Sequence, residues 1–138
     1  MSLVLDSSAT LAWIYDDKAT DSIRAVFDQV ADAGAVVPGL WRLEVANSLT
    51  MAVRRNRIDL AFRGAALADL ALLDIMVDQH TDGRAWSETL QLADQFRLTV
   101  YDAAYLELAR RRKLSLATLD QDLRSAATAI GIQVVGAS

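Results

Sequence analysis

The sequence predicts an α/β fold: one three-layer α/β/α domain with a mostly parallel central sheet, spanning residues 1–138. Three observations point to it. Short apolar runs alternate with longer segments of helical periodicity along the whole chain. The 138 residues, 53% of them hydrophobic, suit one core. No repeat, low-complexity tract or linker divides them.

Residues 2–5 (SLVL) read as a buried strand, and 8–15 as a short helix. In the helix expected over 20–33, Ile23, Val26, Phe27 and Val30 fall at helical spacing. Thr20 or Asp21 can cap its start and Gly34 its end. Ala35–Val37 is a second strand, stopped by Pro38 and Gly39. The helix over 40–55 places Trp41, Val45, Leu49 and Ala52 on one stripe, and a further helix follows Asp59 to residue 73. Asp74–Val77 reads as a third strand. One helix is expected over 82–96, with Trp86, Leu90, Ala93 and Phe96 on a face. Residues 98–100 read as a connector, and 103–113 as a helix ending in Arg110, Arg111, Arg112 and Lys113. Leu114–Thr118 is a fourth strand. A last helix opens at Asp120 or Asp122, Gly131 terminates it, and Ile132–Val135 closes the chain as a fifth strand.

Composition removes several chemistries. Zero cysteines exclude disulfides, thiolate metal sites and cysteine nucleophiles, and the lone His80 excludes a multi-histidine centre. The net charge of −4 has the wrong sign for a generic nucleic-acid binder. The opening residues lack a basic stretch and meet Asp6, so no secretory signal is expected, and no apolar run is long enough for a membrane span. A cytoplasmic location is the expectation.

The candidate chemistry lies in four acids. Asp6 follows the first strand, Asp120 follows the fourth by one residue, Asp102 stands just before a helix, and Glu44 lies inside one. Ligands of open parallel sheets gather at the carboxyl ends of strands. Carboxylates without histidine or cysteine select a hard cation, Mg²⁺ or Mn²⁺, and two such ions would neutralise four carboxylates. The plain alternative is that Asp102 and Asp120 are helix caps and Asp6 a turn residue. Glu44 sits on or beside an apolar stripe, where a carboxylate drawn toward the core needs a partner, and a solvated flank position is the alternative.

Arg54, Arg55 and Arg57, and again Arg110–Lys113, offer cations to nucleic-acid phosphates or simply end helices in solvent, and the second reading is the stronger. Trp13, Trp41 and Trp86 are expected on apolar helix faces, with a partner surface as the alternative for one of them. His80 carries no assigned role. Two rival functions are a receiver-like Mg²⁺-binding domain and a non-catalytic acidic interaction module. The first wants a lysine late in the chain, and the only lysines are Lys18 and Lys113, which precedes its strand.

Three strings carry a family resemblance: LDSSATLAW (5–13), VPGLWRLEVANSL (37–49) and LTVYDAAYLELARRRKLSLATLDQDL (98–123). In order and spacing they resemble the signatures of PIN domains, and most closely the VapC toxins of VapBC toxin–antitoxin pairs. The resemblance implies an RNase H-like α/β/α nuclease that holds one or two Mg²⁺ or Mn²⁺ ions and cuts tRNA or rRNA. It also implies a homodimer and a VapB-type antitoxin. Asp6, Glu44 and Asp102 match the three core acids and Asp120 the fourth, with Asp122 able to substitute or assist. Ser7, Asn47 and Thr118 fall where such proteins place polar groups near the acids.

Overall fold

The computed structural model describes residues 1–137. Five strands, β1 (Leu3–Leu5), β2 (Ala35–Val37), β3 (Ile75–Val77), β4 (Ser115–Ala117) and β5 (Val134–Val135), form one all-parallel sheet in the order β3-β2-β1-β4-β5. Val4 pairs with Val36 on one side and Leu116 on the other. Each strand lies within the run expected for it. Among the described residues, eight α-helices flank the sheet: α1 (Ser7–Ile14), α2 (Asp21–Ala33), α3 (Leu40–Arg54), α4 (Leu60–Ala71), α5 (Thr81–Arg84), α6 (Glu88–Phe96), α7 (Val100–Arg112) and α8 (Gln121–Ala129). No helix among the described residues is long and apolar enough to cross a membrane.

The order reverses beyond β1, so the crevice between the carboxyl ends of β1 and β4 is the topological switch point, where ligands of such sheets bind. A receiver-type sheet has the order 2-1-3-4-5, and this one does not.

Local signals explain most boundaries. Thr20 caps α2 by accepting from the Ile23 amide at 3.2 Å, and Asp59 caps α4 by accepting from Phe62 at 2.8 Å. The predicted stripes of α2 and α3 are buried. Trp41 is in the core, its indole N–H donating to Thr10 Oγ1 at 3.0 Å, and Trp13 stacks on Phe27 at 4.3 Å. Gly34 ends α2 with φ +78°, and a Cβ there would stand 2.9 Å from the Asp74 carbonyl oxygen. That conformation is nearly closed to other residues, and the neighbour is backbone. Gly34→Ala should cost about 1–3 kcal/mol, read by urea denaturation with an unchanged m-value. A loss below about 0.5 kcal/mol would contradict this.

Three expectations need correction. The helix expected over 82–96 is two helices separated at 85–87. The buried face of α6 runs through Thr89, Leu92 and Ala93, with Phe96 packed against the core, so Ala93 and Phe96 lie where expected, but Leu90 is 39% exposed and Trp86 is 92% exposed rather than packed. The helix expected from 103 begins at Val100, with Thr99 as its cap, so Asp102 lies inside the first turn and is not a cap. Periodicity could not locate α7 because it is central: Ala103 through Ala109 are all buried, leaving no polar face to mark.

The third correction concerns the basic run. Arg111 is not in solvent. Its guanidinium grips Asp78 with two hydrogen bonds (2.8 and 3.2 Å) and Glu107 with two more (2.8 and 3.1 Å). The side chains of Arg111, Asp78 and Glu107 are 15%, 1% and 2% exposed. Burial opposes ionisation of Asp78, but Arg111, the Thr81 hydroxyl and the His80 amide together hold its carboxyl well below the usual range. Arg54, Arg55, Arg57 and Arg110 are exposed.

Candidate active site

Asp6 leaves β1 at the switch point. Its amide donates to the Ala117 carbonyl at 3.1 Å, so its position is set by the β1–β4 ladder. Its carboxylate caps α1. Oδ1 accepts from the Ala9 amide (3.0 Å) and the Ser8 hydroxyl (2.7 Å), and Oδ2 accepts from the Thr118 hydroxyl. The expectation of a turn residue thus becomes a helix cap. Asp6 is only 4% exposed, and burial pushes its carboxyl up to about 6 despite those donors, with Asp102 adding repulsion. Ser8 and Thr118 also receive the Leu119 and Asp120 amides, at 2.9 and 3.0 Å. The chain leaving β4 is therefore tied to the chain leaving β1.

Glu44 lies in the second turn of α3, half-buried. Its Oε1 accepts from the Tyr105 hydroxyl, and Ser7 hydrogen-bonds to it as well. Burial raises its pKa, Tyr105 opposes the rise, and Asp102 adds to it. Asp102 is half-buried in the first turn of α7, its amide donating to Thr99 Oγ1 at 3.1 Å. Burial raises its pKa, and Asp120 and then Asp122 raise it further, against the Thr99 hydroxyl. Asp120 caps α8 by accepting from the Leu123 amide at 2.9 Å. Asp122 is exposed in the first turn of α8.

Asp102 is thus the electrostatic hub: its charge raises Asp6 and Glu44, and Asp120 and Asp122 raise it in turn. Two strand ends, those of β1 and β4, and the first two turns of α3 and α7 contribute these acids. The cap interpretation suits Asp6 and Asp120 but leaves Asp102 and Glu44 unexplained. Of the three polar residues expected nearby, Ser7 reaches Glu44, Thr118 reaches Asp6, and Asn47 is exposed on α3. Sequence reasoning missed Tyr105 and Ser8. The signal for Tyr105 was its position three residues after Asp102, on the same helix face. It also did not single out Leu43, Tyr101 and Leu119, exposed residues each next in sequence to one of the acids.

The donors are all oxygens, which suits a hard divalent cation. Among the described residues, no three Asp, Glu or His side chains are gathered into a ready ligand cage. Mg²⁺ does not need one, since it takes one or two carboxylates and keeps several waters. A buried carboxylate repelled by its neighbours gains from such an ion. By this test the residues fit the group.

The sheet has the order 3-2-1-4-5, and Asp6 and Asp120 follow the two strands that flank its switch point. The chain belongs to the PIN-domain family, whose model matches residues 3–129. It is 28% identical over 123 residues to Ribonuclease VapC3 of Pyrobaculum aerophilum, an alignment covering 89% of this chain and 92% of that protein. The crystal structure of PAE2754, also from Pyrobaculum aerophilum, is similar with a TM-score of 0.69 and 25% identity, covering 97% of this chain and 92% of that one.

Proposed function

We propose that this protein is a metal-dependent endoribonuclease of the VapC type that hydrolyses RNA phosphodiester bonds. Membership of the PIN family and the likeness to a ribonuclease over most of both chains support the reading. The observation that supports it most is the mutual repulsion of Asp102 with Asp6, Glu44 and Asp120. Repelling carboxylates are costly to bring together, and a divalent cation offsets that cost. Asp6 and Asp102 would hold a Mg²⁺ or Mn²⁺ ion, with Asp120 completing the shell directly or through water and Asp122 assisting from the exposed side. A cation bound there supplies water activation and charge stabilisation at the leaving oxygen. Ser8, Thr118 and the Ala9 amide keep Asp6 in one orientation. Glu44 orients the attacking water or holds a second ion.

In this reading the protein is the toxin of a type II toxin–antitoxin pair, a cytoplasmic homodimer acting on tRNA or rRNA and silenced by a VapB-type antitoxin. The single PIN-like domain of residues 1–138 carries the proposed catalytic acids. RNA phosphates would meet the exposed Arg54, Arg55, Arg57 and Arg110, whereas Arg111 is committed to Asp78 and Glu107. Charge reversal at Arg110 alone should flatten the salt dependence of RNA binding, while reversal at Arg111 should unfold the chain.

Total cellular RNA incubated with the protein and Mn²⁺ or Mg²⁺ should yield discrete new ends. The cuts should vanish with chelator and in Asp102→Asn. Absence of cleavage by a protein that binds Mn²⁺ in calorimetry, or cuts that persist in Asp102→Asn, would overturn the proposal.

A further inference from the structure

Tyr105 is 1% exposed and sits one turn after Asp102 on α7. Its hydroxyl donates to Oε1 of Glu44, 61 positions away on α3, and Ser7 at the start of α1 hydrogen-bonds to the same carboxylate and to the tyrosine. Three helices therefore meet at one side chain. Any carbonyl would satisfy a buried phenol. This one is spent on a half-buried carboxylate that Asp102 repels. A glutamate has three rotatable bonds. Without a donor, repulsion and hydration would both turn it away from the crevice and toward water. The hydrogen bond opposes that turn. Asp102 and Tyr105 also share one rigid helix, so whatever holds Glu44 to Tyr105 sets its distance from Asp102.

We propose that Tyr105 is a positioning residue of the acidic crevice: with Ser7, its hydroxyl holds Glu44 facing Asp102 in the arrangement that receives a divalent cation. The inference rests on the ribonuclease reading for its consequence in catalysis, but not for its consequence in metal binding. Tyr105→Phe deletes one oxygen and keeps the ring in the core. Mn²⁺ affinity of the purified protein, by calorimetry, should fall roughly 10–100-fold, the usual effect of losing a group that orients a ligand. The turnover number for RNA cleavage should fall with it, while KM for RNA stays within about twofold. In a Glu44→Gln background the same substitution should leave Mn²⁺ affinity unchanged, because the hydroxyl acts through that carboxylate. A lowered melting temperature with wild-type Mn²⁺ affinity would make Tyr105 merely structural and overturn the proposal. Equal losses of affinity in both backgrounds would also overturn it. A wild-type protein that cuts no RNA, yet loses Mn²⁺ affinity on Tyr105→Phe, would refute the ribonuclease reading and uphold the positioning role.

Discussion

Asp6→Asn should abolish RNA cleavage and, in the same metal-free protein, raise thermal stability. Asparagine is nearly isosteric and caps helices as well as aspartate, so its carbonyl can still accept from the Ala9 amide and the Ser8 hydroxyl. What it removes is a buried charge. Folding raises the Asp6 pKa from 3.8 to about 6, chiefly through burial. The folded chain therefore holds this proton more tightly than the unfolded chain. Its favourable contribution is complete below the unfolded pKa and is lost as pH rises through about 6. Two pKa units correspond to about 3 kcal/mol. Rearranging the Thr118 hydroxyl offsets part of that, since it donates to Oδ2 and would have to accept from an amide instead. The expected gain at pH 7 is about 1–3 kcal/mol, or roughly 3–10 °C in melting temperature. The gap between variant and wild type should narrow as pH falls from 6 to 4. An active variant would remove Asp6 from the proposed chemistry. A less stable variant at pH 7 would mean that its hydrogen bonds outweigh its burial.

Arg111→Ala should destabilise the molecule by about 3–5 kcal/mol. It leaves Asp78 and Glu107, 1% and 2% exposed, as uncompensated buried carboxylates. Arg112 also approaches Asp78, but at 3.8 Å and from a more exposed position, so it replaces little. The loss matters for the crevice because α7 carries Arg111 at one end and Asp102 at the other. The acid response follows from Asp78. Its pKa is lowered on folding, so its stabilisation is present above the unfolded value near 3.8 and is lost as pH falls through the lower folded value. Wild type should therefore lose stability in strong acid, and the variant should lose less. Urea denaturation monitored by circular dichroism between pH 2 and pH 7 measures both effects. A loss under about 1 kcal/mol at pH 7 would show that water already screens the triad.

The elements legible in the sequence share one property: their signals are local. β1 and β4 read as strands because a few consecutive apolar residues suffice. The faces of α2 and α3 read correctly because each has one buried and one wet side. Gly34 and Thr20 announced helix ends through chemistry acting over three or four residues. The same locality explains the failures. The exposure of Leu90 and Trp86 depends on which side of a helix another helix covers. α7 is covered on all sides, so its start lay hidden in an unpatterned run. Arg111 looked like an ordinary terminal cation because Asp78, its partner, is 33 positions away.

The candidate site divides along the same line. The sequence by itself singled out the candidate acids, since strand ends in a parallel sheet share an edge and donors that are all oxygen suit a hard cation. It also determined the PIN family, through motifs spread from residue 5 to 123. The tertiary structure decided what those acids do to one another. It buried Asp6 beneath Thr118, made Asp102 the charge that Asp6 and Glu44 both feel, and set Tyr105 against Glu44. These contacts join residues 61 and 112 positions apart. Hydrogen bonds and desolvation act over a few ångströms in space, and the separation of residues along the chain carries no measure of that distance.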